Sequence, residues 1–109
     1  MNNDISMRIL VMFDLPTNTK KERKDAARFR TKLQKLGFLM IQYSVYVRAL
    51  RGIDKKDSIT RKIKSKLPPT GNVRMLVITE KQYENMEILI GEPKSISETL
   101  SARPGVIDF

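Results

Sequence analysis

The 109-residue sequence contains no cysteine and no histidine. The first absence excludes a disulfide, a thiolate nucleophile and any Cys-based metal site. The second excludes Ser-His and Cys-His relays and imidazole ligation. Any catalysis must rest on carboxylates, hydroxyls, Lys or Arg, with a hard metal as helper. Long apolar runs are missing too, so no stretch is built to span a membrane. Residues 1–4, Met-Asn-Asn-Asp, lack the basic and apolar regions of a signal peptide, and a soluble, cytoplasmic chain is the expectation. Aromatics are scarce, four Phe and three Tyr, and no Lys/Arg-Gly-aromatic run of the RRM type occurs. Base stacking on an open sheet is therefore disfavoured. Walker A, GxGxxG and nucleophile-elbow patterns are also absent.

What is abundant is positive charge. Lys and Arg number 21 against 12 Asp and Glu, a formal +9, which points to an anionic partner, most simply nucleic acid. The charge is unevenly spread. Residues 1–79 carry 18 basic and 6 acidic groups, a net of +12, while residues 80–109 carry 3 and 6, a net of −3. Two blocks concentrate it. The first, 20–36, holds Lys20, Lys21, Arg23, Lys24, Arg28, Arg30, Lys32 and Lys35 against Glu22 and Asp25. The second, 48–66, holds Arg48, Arg51, Lys55, Lys56, Arg61, Lys62, Lys64 and Lys66 against Asp54 and Asp57. A charged helix face is usually only solvated, but a one-signed excess favours phosphate binding. Contact with a duplex backbone, largely independent of sequence, is the expected mode, with RNA as a further partner.

The chain's length suits one domain. Residues 7–14 read Met-Arg-Ile-Leu-Val-Met-Phe-Asp, apolar on both faces, which predicts a central strand ended by Pro16. Met7 is an alternative start, leaving residues 1–6 as a polar extension. Thr19 and Glu22 form a capping box for a helix whose stripe is Ala26, Phe29, Leu33 and Leu36. Gly37 and Phe38 suit a Schellman ending. Residues 38–48 are β-rich, as one long strand or as two with a bend near 42–44. Ile59, Ile63 and Leu67 mark a second helix, capped by Asp54, Asp57 or Ser58 and stopped before Pro68-Pro69. Residues 73–79 read as a strand, 80–85 as a polar or helical turn, and 86–90 as a short strand. The end, Val106-Ile107-Asp108-Phe109, is a candidate strand that pairs outside its own sheet. The order predicts an α+β, ferredoxin-like (split βαβ) sandwich, two helices on an antiparallel sheet. Residues 1–6 are the extension, 7–91 the domain and 92–109 the tail.

Asp14 is the first candidate site residue, a carboxylate at the end of an apolar strand beside a loop. The alternative is that it only bonds the turn or caps the next helix. One carboxylate makes a poor metal site, since Mg²⁺ takes one or two carboxylates plus phosphates and water; a pair across a dimer would improve it. Ser44 and Tyr46 are candidate donors near Asp14, with ordinary cross-strand packing as the other reading.

Residues 7–16, the Lys/Arg-rich first helix, Gly37-Phe38 and Gln42-Tyr43-Ser44-Val45-Tyr46 resemble, in that order, the small CRISPR-associated endoribonuclease family. That family supplies the minor subunit of the CRISPR spacer-acquisition integrase, and residues 76–83 look like its type II versions. The resemblance implies a homodimer whose C-terminal strand extends the partner's sheet. It further implies assembly with two dimers of the larger integrase subunit on duplex prespacer DNA. It associates Asp14 with Mg²⁺ and endonuclease activity on single-stranded RNA or double-stranded DNA, and matches Ser44 to the family's serine. Phe13 departs from the Tyr that many members carry there, which weakens the hydrolytic reading more than DNA binding. The expected phosphate contacts are Lys20, Lys21, Arg23, Lys24, Arg28 and Arg30.

Overall fold

The computed structural model describes residues 5–52 and 54–92. Its elements are β1 (Met7–Asp14), α1 (Lys20–Lys35), β2 (Leu39–Gln42), β3 (Val45–Leu50), α2 (Lys56–Lys64), β4 (Asn72–Thr79) and α3 (Glu80–Glu84). The strands make one antiparallel sheet in the order β2-β3-β1-β4. This is the expected α+β, ferredoxin-like arrangement. Among the described residues no helix is long and apolar enough to cross a membrane.

β1 is central because both of its faces are apolar. Ile9, Val11 and Phe13 face Phe29 and Leu33 of α1 and Ile59 and Ile63 of α2, with Tyr46 of β3 in the same core. Leu10 faces the other way, against Val47 and the Tyr83 ring of α3. The Thr19–Glu22 capping box forms as its spacing predicts, each side chain accepting from the other residue's backbone N–H. At the far end the Phe38 N–H reaches the Leu33 carbonyl and the Gly37 N–H reaches Gln34, with Gly37 left-handed at φ 91°. That is the Schellman ending. Residues 38–48 resolve into two strands, β2 and β3, joined by the Tyr43-Ser44 turn.

Three expectations are corrected. Residues 86–90 form no strand: among the described residues nothing pairs with them, and Leu89 and Ile90 are 91% and 95% exposed. Strand character in a short apolar run needs a partner edge, and the chain leaves the sheet after α3. The second helix has Lys55 as its N-cap with no side-chain bond. Asp54 instead accepts from the Arg51 backbone N–H at 2.8 Å and pairs with Arg48. Leu67 lies beyond the helix, which ends at Lys64, and lines a groove of about 320 Å³ between α2 and β4. The candidate strand at 106–109 lies outside the described residues.

Two contacts tie the sheet's ends to their surroundings. Ile5 packs on Ala49, and the Ser6 carbonyl accepts the Glu80 N–H at 2.9 Å. At the opposite end, Gly71 sits under the exit of β1. A Cβ there would lie 2.9 Å from the Asp14 carbonyl oxygen and 2.8 Å from Leu15 Cδ2, on a backbone with φ +107°. Left-handed strain and a clash with main chain both oppose a side chain. Gly71→Ala is expected to destabilise the protein by roughly 1–3 kcal/mol, measurable by urea denaturation.

Candidate nucleic-acid interface

α1 presents its stripe of Ala26, Phe29 and Leu33 to the core, so helical geometry sends its basic residues outward. Lys20, Lys21, Arg23, Lys24 and Arg28 are exposed, and Arg30 is half-buried. Acidic partners neutralise only part of this face. Lys21 pairs with Asp25 at 2.8 Å, and Arg28 stands 4.0 Å from the same carboxylate. Such exposed i,i+4 and i,i+3 pairs hold little energy and leave the cations available to phosphate. Arg23 and Arg30, seven residues apart, lie on one flank of the helix. Arg23 Nη1 donates to the Thr17 carbonyl at 3.0 Å, which steadies the loop between β1 and α1.

Asp14 ends β1 exposed to solvent. It does not cap α1, a role that Thr19 fills. Its carboxylate makes no hydrogen bond or ion pair to any described residue. Ser44 comes close through its backbone: its carbonyl accepts the Phe13 N–H at 3.1 Å. The turn holds Ser44 at φ 63°, a left-handed conformation that non-glycine residues seldom adopt. Tyr46 does not join this end. It lies opposite Val11, buried, with its ring 5.7 Å from Phe13 in a stacked arrangement. Cross-strand packing is therefore its role.

The second basic block divides. Lys55, Lys56, Arg61, Lys62, Lys64 and Lys66 are exposed on and around α2. Arg48 is turned inward instead. Its Nε donates to the Leu36 carbonyl at the end of α1, at 2.8 Å, and its Nη2 reaches Asp54 at 3.5 Å. It serves as a helix C-cap, satisfying a carbonyl that the helix leaves open.

Residue types alone did not single out Tyr43. It stands exposed in the β2–β3 turn, its hydroxyl accepting from Arg30 Nη2 at 3.0 Å. The only signal in the sequence was its position, an aromatic between strand segments rather than inside one.

The donor set limits metal chemistry. Among the described residues no group of three or more Asp, Glu, His or Cys converges. The candidate ligand at the end of β1 is the Asp14 carboxylate. That fits Mg²⁺ only if phosphates, water or a second protomer's carboxylate complete the shell.

Comparison with known proteins agrees with the resemblance. Residues 7–86 match the family model described as CRISPR associated protein Cas2. A Campylobacter jejuni protein named CRISPR-associated endoribonuclease Cas2 is 52% identical over 91 residues, 84% of this chain and 64% of that protein. The chain thus spans a little under two thirds of that relative's length. Proteins of the same name from Lacticaseibacillus rhamnosus and Treponema denticola are each 46% identical. The alignments cover 81% and 82% of this chain, and 87% and 88% of theirs.

Proposed function

The chain belongs to the CRISPR-associated Cas2 family, and on that premise we propose that it is a small homodimeric, DNA-binding subunit of a spacer-acquisition complex. In this reading it works in the cytoplasm, holds duplex prespacer DNA and scaffolds two dimers of the larger integrase subunit. The observation that carries the reading is the one-signed face of α1, where Lys20, Arg23, Lys24 and Arg28 stand exposed. Cations spaced along one helix track a phosphate backbone without reading bases. Dimerisation draws support from the sheet face opposite α1 and α2. There Leu76 of β4 is 51% exposed beside the apolar Leu10 and Val47, and a second copy would cover it.

A second reading is favoured by one observation, the solvent-facing Asp14 carboxylate with no bond to the described residues. In that reading the chain is an endonuclease, as its relatives' names state. Asp14 from each of two protomers would hold Mg²⁺, which when bound would activate water and stabilise charge on the phosphate. Ser44 would position the strand end that carries Asp14.

The two readings give Asp14 opposite importance. Co-purification with the larger integrase subunit and an integration assay on the complex separate them. Integration by Asp14→Ala is expected within about twofold of wild type, since one exposed carboxylate contributes no phosphate attraction. Loss of integration in Asp14→Ala, with the complex still assembled, would favour the catalytic reading. Conversely, nucleic-acid cleavage that continues at full rate in Asp14→Ala or in excess chelator would remove it.

A further inference from the structure

The β2–β3 turn holds an aromatic ring in water and keeps it there in a fixed pose. Tyr43 is 74% exposed, although the other two tyrosines, Tyr46 and Tyr83, are each 1% exposed. Arg30 Nη2 donates to its hydroxyl at 3.0 Å, and the guanidinium carbon lies 5.2 Å from the ring centroid. The same guanidinium is braced 5.9 Å from the centroid of the buried Phe13 ring. From the other side, the left-handed Ser44 and its bond to the Phe13 N–H fix the turn's backbone at the end of β1. Phe13 is the residue before Asp14, so the turn lies at the end of the sheet where β1 finishes.

An exposed apolar ring normally gains by folding down on the surface. Here the hydroxyl is tethered while most of the ring surface stays in solvent. Such a ring has already lost the rotamer freedom that binding would otherwise cost. A base stacked on an aromatic face contributes whatever its identity, because every base presents a π-surface. The Arg30 charge, which lies over one face of the ring and leaves the other to a base, favours an anionic backbone, and Arg23 on the same helix flank extends it. A duplex keeps its bases stacked on each other, so this surface discriminates in favour of an unpaired nucleotide.

We propose that Tyr43, oriented by Arg30, stacks an unpaired nucleobase and holds a single-stranded segment at the end of the sheet where β1 finishes. This rests on the nucleic-acid binding proposed for α1 and adds the strand state that the end of β1 selects.

The test uses the full chain with two single-stranded oligonucleotides, one deoxyribose and one ribose, each carrying a 2-aminopurine, and a blunt duplex of the same length. Wild type is expected to quench the probe on at least one single strand. Tyr43→Ala is expected to abolish the quench and weaken single-strand binding about 10-fold or more, while duplex affinity moves less than about twofold. Tyr43→Phe, which keeps the ring and loses the hydroxyl, is expected to retain the quench. Thermal melting followed by circular dichroism checks that the fold survives. The proposal fails if Tyr43→Ala binds and quenches single strands as wild type does, or if duplex and single-strand affinities fall together. It fails equally if the loss accompanies a change in oligomeric state, which would make the ring a protein contact. Wild type that binds the duplex but neither single strand overturns the stacking site alone. Wild type that binds none of the probes overturns the function proposed above as well.

Discussion

Replacing Arg23, Lys24 and Arg28 together by alanine is expected to lower duplex-DNA affinity on the order of 100-fold at low salt. All three are exposed on α1, and none takes part in the core formed by Ala26, Phe29 and Leu33. Alanine is the best helix former, so the helix itself is preserved or strengthened. The capping box of Thr19 and Glu22 and the Schellman ending at Gly37 also remain. The loss should therefore appear in binding and not in the melting temperature. Each phosphate contact removed makes the slope of log affinity against log salt shallower by about 0.9, so three contacts per engaged protomer change it by about 2.7. The comparison variant is Lys62→Ala with Lys64→Ala on α2. A similar loss there would assign the duplex to both helices, and an unchanged affinity would confine it to α1. Fluorescence anisotropy at several salt concentrations reads both quantities.

Glu80→Ala is expected to destabilise the protein by about 3–5 kcal/mol. Arg8 is 2% exposed near the start of β1, on the sheet face that α3 covers. Its Nε and Nη2 donate to the two Glu80 carboxylate oxygens at 2.6 and 3.0 Å, and its guanidinium carbon lies 4.2 Å over the Tyr83 ring. Its Nη1 is buried with no hydrogen-bond partner among the described residues. Removing the carboxylate would leave a buried cation with no counter-charge, which costs far more than the pair itself contributes. The double variant Arg8→Met with Glu80→Leu removes both charges and is expected to recover most of the loss. Urea denaturation of both variants measures this. A Glu80→Ala protein as stable as wild type would mean that α3 is not pinned to the sheet by this pair.

These two predictions rest on features that the sequence disclosed unequally. The α1 face was legible because capping, periodicity and charge all act within a few residues along the chain. Thr19, Glu22, the Ala26–Phe29–Leu33 stripe and Gly37 each state a local rule, and the rules agree. The central place of β1 was legible for the same reason, from apolar residues on both faces. Arg8 and Glu80 are 72 residues apart, and only the antiparallel pairing of β1 with β4 brings α3 onto Arg8. Arg48 belongs to the second basic block by sequence, yet its place opposite Ile9 on the helix-covered face turns it to the Leu36 carbonyl. Residues 86–90 have the composition of a strand but lie along neither open edge of the sheet, β2 or β4, and composition does not encode pairing. At the candidate site, Asp14 could be picked out as a charge ending an apolar strand. The Tyr43–Arg30 contact could not, because it joins a turn to a helix across 13 positions.

The central claim is that this chain holds nucleic acid through phosphate contacts made by its basic helical face. The most direct test is the affinity of the wild-type protein for a blunt duplex between 50 and 200 mM salt. With three contacts from each of two protomers, log affinity should fall linearly with log salt at a slope of about −5 or steeper. An affinity that stays level across that range would contradict the account.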